Sequence, residues 1–159
     1  VKTSDVQTMY TQRGDFVHGG TFSHHPIGAA VGLAVLRYLQ EHKLVERSRQ
    51  QGDKLGHKLR AALGDHPRVG DIRGQGLMWG LEFVADRTSK APFPAKQGVS
   101  KKIGDAAFER GLIVYPSSGN ADGINGDQVM IAPPFIVTDE ELDEIVGLLV
   151  EAVGAVVPA

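Results

Sequence analysis

The apolar residues of this chain change their spacing once, and that change limits the folds open to it. From Ile27 onward Val31, Leu33, Ala34, Leu36 and Leu39 recur at helical intervals, and Leu55, Leu59, Ala62 and Leu63 do so again. Such intervals gather side chains on one side of a helix. The first group predicts a long helix from Ile27 to about Glu41. The second predicts a helix from about Leu44 to Leu63, with Leu55, Leu59, Ala62 and Leu63 on its buried side. Past Arg68 the helical interval stops. Val69, Ile72, Leu77, Met78, Leu81 and Phe83, broken by glycines, read as two short strands joined at Gly74-Gln75-Gly76.

The rest of the chain alternates in the same manner. A proline-containing loop from Arg87 to Gln97 leads into a helix that stops at Arg110-Gly111. Leu112 to Tyr115 reads as a strand, the Gly/Asn/Asp-rich run from Ser117 to Asp127 as a loop, mobile over Asp122 to Asp127, and Val129 to Ala132 as another strand. Thr138-Asp139-Glu140-Glu141 is a capping box that opens a last helix towards Val153. A similar box at Ser4-Asp5-Val6-Gln7 predicts a helix from about Asp5 to Arg13, stopped by Gly14, with loop over residues 16–26. Helices first, then strands alternating with helices, imply an α+β fold with a small sheet covered on one face.

Composition narrows the function classes. A chain of 159 residues is one ordinary domain by length, and 42% hydrophobic against 23% charged residues reads as soluble and globular. A formal charge of −2 gives no field that draws in nucleic acid or an anionic membrane. The sequence has no cysteine, which excludes disulfides, thiolate chemistry and cysteine-ligated zinc, and fits a cytoplasmic home. No stretch approaches the roughly 20 apolar residues of a membrane span. Val1 to Asp5 reads as neither a signal nor a transit peptide, and the expectation is a chain that opens in mid-fold.

Few motifs carry chemistry by themselves. Gly19-Gly20-Thr21-Phe22-Ser23 could let its backbone and a hydroxyl approach a phosphate; the alternative is a capped turn before the helix at Ile27. His18, His24 and His25 lack the spacing of metal ligands and read as loop histidines that hydrogen-bond and pack. Gly74-Gln75-Gly76-Leu77-Met78-Trp79-Gly80 misses the dinucleotide fingerprint by one place and opens no helix, so its glycines are assigned to a tight strand crossing and Arg73 to an ion pair. Asp122 to Asp127 lacks the bidentate carboxylate of a calcium loop.

In order and spacing, however, these pieces match one family along almost the whole chain. His18-Gly19-Gly20-Thr21-Phe22-Ser23-His24-His25-Pro26, the helix Ala29 to Leu36, Val69 to Met78, Glu109 to Val114, and Ala132-Pro133-Pro134-Phe135-Ile136-Val137-Thr138 resemble the ordered signatures of class III aminotransferases. The resemblance implies a fold type I enzyme using pyridoxal 5′-phosphate, a homodimer whose active sites are shared between subunits. It implies that residues 1–25 end the large cofactor domain, 26–64 form linking helices and 65–159 form the small C-terminal α+β domain. Thr21, with the backbone at Gly20, would bind the phosphate of the cofactor belonging to the neighbouring subunit.

Two departures from the family pattern bear on mechanism. The family's Schiff-base lysine belongs to a segment ahead of the first helix here. Lys2 is followed by Thr-Ser-Asp, which does not fit that segment, and the aspartate that pairs with the pyridine nitrogen lies further upstream still. No residue of this chain is therefore assigned a catalytic role, and the chain alone is expected to be inactive. The second departure concerns substrate. Relatives acting on α-amino acids or ornithine carry an arginine just before A-P-P; Met130 takes its place here, and Tyr115 falls where some amine transaminases carry a mobile arginine. No arginine follows Arg110.

The resemblance therefore implies an apolar substrate pocket near Met130 and Tyr115. It implies transfer of an amino group from an amine, or an ω- or β-amino acid, to a keto acid such as pyruvate; an upstream arginine doing the same work is the alternative. Two further readings stay open: a truncated, non-catalytic scaffold or partner protein, and an aminomutase that returns the amino group to the same molecule.

Overall fold

The computed structural model describes residues 3–13 and 19–158. The chain forms two compact units, Val1–His42 and Lys43–Ala159.

In the first unit α1 spans Thr3–Arg13 and α2 spans Pro26–Glu41. Because α1 already includes Thr3, Ser4 lies inside the helix instead of capping it, and its hydroxyl donates to Asp5 Oδ1 at 3.4 Å. The expected stop at Gly14 falls outside the described residues, as does His18. α2 begins with Pro26, whose fixed φ suits a first helical turn. Its N-cap is His25, whose Nδ1 accepts the Gly28 N–H at 3.1 Å. No residue of α2 is buried, and Ile27, Val31 and Leu36 are all well exposed.

The second unit opens with α3 (Leu44–Leu63), as the spacing predicts. It continues through β1 (Val69–Gln75), β2 (Met78–Asp86), the short β3 (Ala91–Pro92), a 3-10 turn at Ala95–Gln97 and α4 (Val99–Glu109). It ends with β4 (Tyr115–Ser118), β5 (Asp127–Ile131) and α5 (Asp139–Val156). The sheet runs in the order β1-β2-β5-β4, antiparallel throughout, with β3 paired to β2.

One hydrophobic core joins this sheet to the helices. Leu55, Leu59 and Leu63 of α3 meet Trp79, Leu81 and Phe83 of β2, Val129 and Ile131 of β5, Ile103 of α4, and Leu142 and Leu149 of α5. Each such side chain contributes about 1.5–3 kcal/mol by leaving water. The expected buried side of α3 is corrected at Ala62, which is exposed; Gln51, Gly52 and Gly56 complete the stripe instead. Two glycines there let the sheet come close: a Cβ at Gly56 would stand 2.2 Å from the Trp79 ring, and one at Gly52 would stand 1.9 Å from the Gly76 carbonyl oxygen.

Two boundaries move from their predicted places. The β1–β2 ladder continues to Gln75↔Met78, so the hairpin turns at Gly76-Leu77 and Gly74 stays in the strand. After α4, Gly111 (φ 87°) and Leu112 close the helix, donating to Phe108 and Ala107 carbonyls at 3.0 and 2.9 Å. That closure uses the first residues of the expected strand, so β4 starts at Tyr115 and runs to Ser118. Its Pro116 is tolerated because β4 is an edge strand. The Thr138 capping box forms as predicted, with Thr138 N–H donating to Glu141 Oε2 at 2.8 Å and Glu141 N–H to Thr138 Oγ1 at 3.2 Å. Among the described residues no helix is long and apolar enough to cross a membrane.

Candidate functional site

Pleating sends alternate side chains of the second unit's sheet to opposite faces. One face carries Trp79, Leu81, Phe83, Val129 and Ile131 into the helix-covered core. The other carries Arg73, Met78, Glu82, Gln128, Met130, Tyr115 and Ser117, which are exposed or half-buried. Register aligns one row across all four strands of this second face: Arg73 pairs with Gly80, Gly80 with Met130, and Met130 with Tyr115. The two residues expected near substrate, Tyr115 and Met130, are thus direct cross-strand neighbours.

A second row runs beside it, Asp71–Glu82–Gln128–Ser117. Asp71 and Arg73 stand two residues apart in a regular stretch of the β1–β2 ladder, so pleating alone places them on the same side; the bulge between Val69 and Asp71 instead returns Val69 to the core face. Arg73 Nη1 then donates to Asp71 Oδ2 at 2.8 Å and to Glu82 Oε2 at 3.0 Å. Those bonds, to Asp71 first and Glu82 second, hold the guanidinium even more firmly protonated than usual. The ion pair expected of Arg73 thus forms, and its partners Asp71 and Glu82 follow from the register of the β1–β2 ladder. Gln128 Nε2 donates to Ser117 Oγ at 2.8 Å in the same row.

Between this face and the first turns of α3 lies an open groove of about 830 Å³, lined by Arg73, Met78, Gly80, Gln128 and Met130 on one side and by Ser48 and Arg49 on the other. Its volume is within the usual range of small-molecule sites. Arg49 is tied to Glu46 at 2.7 Å, and that bond lowers the carboxyl's pKa. The 133–138 segment beside the groove is held by α3: Arg47 donates to the carbonyls of Phe135, Ile136 and Val137 at 2.9, 3.2 and 2.7 Å. Gln51 Nε2 adds bonds to Val137 O and Asp139 Oδ1 at 3.1 and 2.9 Å.

The other predicted site lies in the first unit, at the turn before α2. Ser23 N–H donates to Gly20 O at 2.9 Å, and Gly20 N–H donates to Ser23 Oγ at 3.0 Å. Gly20 and Thr21 are exposed, and the Thr21 N–H and hydroxyl carry no hydrogen bond among the described residues. His24 has φ 64°, which turns the chain into α2. His25 serves as the helix cap already described.

The discarded motifs have structural work. Gly74 sits where a Cβ would meet the Met78 carbonyl oxygen at 2.4 Å and the Trp79 ring at 2.5 Å, so the strand crossing there needs a glycine. The Asp122 carboxylate is taken up by its own loop, accepting from the N–H groups of Ile124 and Asn125 at 2.9 and 2.6 Å. The segment expected to be a mobile loop is thereby tied together, and Gly119 N–H donates to Gly126 O at 2.9 Å across its base. Among the described residues no three His, Asp or Glu side chains converge as metal ligands do.

A small antiparallel sheet under three helices matches the C-terminal part of one enzyme class. The profile of the family described as Aminotransferase class-III covers residues 1–153. The chain belongs to that family. It is 41% identical over 156 residues to the uncharacterized aminotransferase YodT of Bacillus subtilis, covering 98% of this chain and 35% of that protein. The thermostable (S)-enantioselective omega-transaminase of Thermomicrobium roseum superposes with a TM-score of 0.83 at 31% identity, over 99% of this chain and 33% of its own. A PLP-bound aminotransferase mutant from Vibrio fluvialis superposes with a TM-score of 0.79 at 32% identity, over 94% and 31% respectively. The chain thus spans about a third of the length of these relatives. It corresponds to the C-terminal α+β portion of a fold type I transaminase.

Proposed function

We propose that this chain is the C-terminal part of a pyridoxal-phosphate-dependent aminotransferase that moves an amino group from an amine, or an ω- or β-amino acid, to a keto acid such as pyruvate. The observation that favours an amine within that class is the row Arg73–Gly80–Met130–Tyr115. A donor carboxylate lying against this row would need a free guanidinium, and the one guanidinium in it is already bonded to Asp71 and Glu82. Met130 and Tyr115 instead offer an apolar wall and a phenol hydroxyl.

The residues present suit the cofactor's phosphate at Thr21. Its N–H and hydroxyl are both available donors, and a Cβ at Gly20 would meet nothing closer than Ser23 Oγ at 3.7 Å, so an anion can approach the backbone. Gly20 N–H is committed to Ser23 Oγ and shapes the turn instead. When bound, pyridoxal phosphate supplies the electron sink that lets an amino group leave one carbon skeleton for another. Met130 and Tyr115 orient the donor's apolar part, and Arg47 holds Phe135 to Val137 beside the groove. The Schiff-base lysine is supplied by sequence outside residues 1–159, so the chain alone is inactive. The complete protein works in the cytoplasm as a homodimer in which Thr21 serves the neighbouring subunit's cofactor.

The test is steady-state kinetics of the complete protein with pyridoxal phosphate and pyruvate. An aryl-alkyl amine should show kcat/KM at least about tenfold above ornithine, the scale of about 1.4 kcal/mol. A preference of that size for ornithine would overturn the donor assignment.

A further inference from the structure

Gly80 lies in the interior of β2, paired on both sides, with Arg73 on β1 and Met130 on β5. A glycine there weakens a strand, since it gives up side-chain packing and loses the most conformational freedom on folding. Local structure gives no reason for it. Its φ is not positive, and a Cβ would meet only the Arg73 carbonyl oxygen, at 3.9 Å. The contrast with Gly52, Gly56 and Gly74 is sharp, since a Cβ at each of those would collide with backbone or the Trp79 ring. A strand glycine without a local steric cause marks a place where something else approaches the backbone.

What approaches is indicated by the surroundings. Gly80 forms part of the groove floor, flanked by Met130 and Met78, with Tyr115 completing its row. The ion-paired Arg73 closes one end. We infer that Gly80 is a specificity-determining position: by lacking a side chain it leaves a slot between Arg73 and Met130 into which the bulky apolar substituent of the amine donor fits. This inference rests on the transaminase reading and adds to it the residue that sets donor size. Any side chain at position 80 would point into the groove, so its size should read out directly as the largest donor accepted.

The experiment uses the complete enzyme as Gly80→Ala and Gly80→Val, with pyruvate as acceptor and a series of primary amines from a three-carbon alkyl to a naphthyl substituent. Thermal midpoints are recorded alongside. The expected result is a midpoint equal to or above that of the parent for Gly80→Ala. The ratio of kcat/KM for the naphthyl donor to that for the three-carbon donor should fall about tenfold or more in Gly80→Val, chiefly through KM, with Gly80→Ala between. A proportional loss across the whole series together with a lowered midpoint would overturn the inference, and would mean that another part of the protein packs on Gly80. An unchanged ratio would overturn it too. If the parent enzyme transaminates none of these amines, the donor reading itself fails and the inference falls with it.

Discussion

Asp127 is the residue whose environment is least ordinary. It is almost fully buried; its Oδ1 accepts the Ser100 N–H at 2.7 Å, and its Oδ2 has no hydrogen-bond partner among the described residues. Since Gly98 at the N-cap of α4 offers no side chain, Asp127 caps that helix from β5. Asp127→Ala should lower stability by about 1–3 kcal/mol, read from the urea midpoint at constant m. Asp127→Asn should cost less, because it keeps the Oδ1 acceptor for the Ser100 N–H. His66 gives a pH dependence at the same scale. Its pKa is lowered by burial first and by Arg68 second, and its Nδ1 accepts the Arg68 N–H at 3.1 Å. Folding thus favours the neutral ring, so the unfolded chain binds the proton more readily. Stability should be intact above the ordinary histidine value of about 6.5 and fall as pH drops below it. The thermal midpoint should therefore decline between pH 7 and 5, and His66→Gln should flatten that decline. At the site, Met130→Arg should move preference towards donors bearing a carboxylate, measured as the ornithine-to-amine ratio of kcat/KM.

At the scale of elements, α3 organises the second unit: it packs on the sheet, approaches the hairpin at Gly52 and pins residues 135–137 through Arg47. Gly52→Ala should cost about 1–3 kcal/mol or more, because the intruding Cβ meets backbone that cannot step aside. Gly147→Ala on the solvent side of α5, where a Cβ meets nothing within 4 Å, should instead stabilise by about 0.5–1 kcal/mol. Urea denaturation of both variants checks the pair of signs. Elements with strong periodicity or caps were readable from sequence: α3 lies where its leucines put it, and Thr138 and Glu141 form the predicted box. β4 was not, because Leu112 is apolar and buried yet belongs to the closure of α4, and periodicity does not separate a helix exit from a strand start. The candidate site was readable only through family resemblance. Met130 and Tyr115 came from that resemblance, whereas the partners of Arg73 and the slot at Gly80 depend on the register of the sheet.

For the whole molecule, the division of labour between this chain and the rest of its enzyme is the central claim. α2 presents apolar side chains with none buried, and the relatives are about three times as long. Both observations fit a portion that works within a larger protein. As proposed above, this portion would contribute the turn at Thr21 to phosphate binding and the groove beside Met130 to donor binding, with the Schiff base on a lysine elsewhere. Denaturing intact-mass analysis after treatment with pyridoxal phosphate and borohydride tests this directly, run in parallel on the 159-residue chain and on the complete protein. The account predicts one reduced adduct per complete chain, mapped by peptide digestion to a lysine outside residues 1–159, and no stoichiometric adduct on the 17.0 kDa chain. A single stoichiometric adduct on one of this chain's own lysines would contradict it.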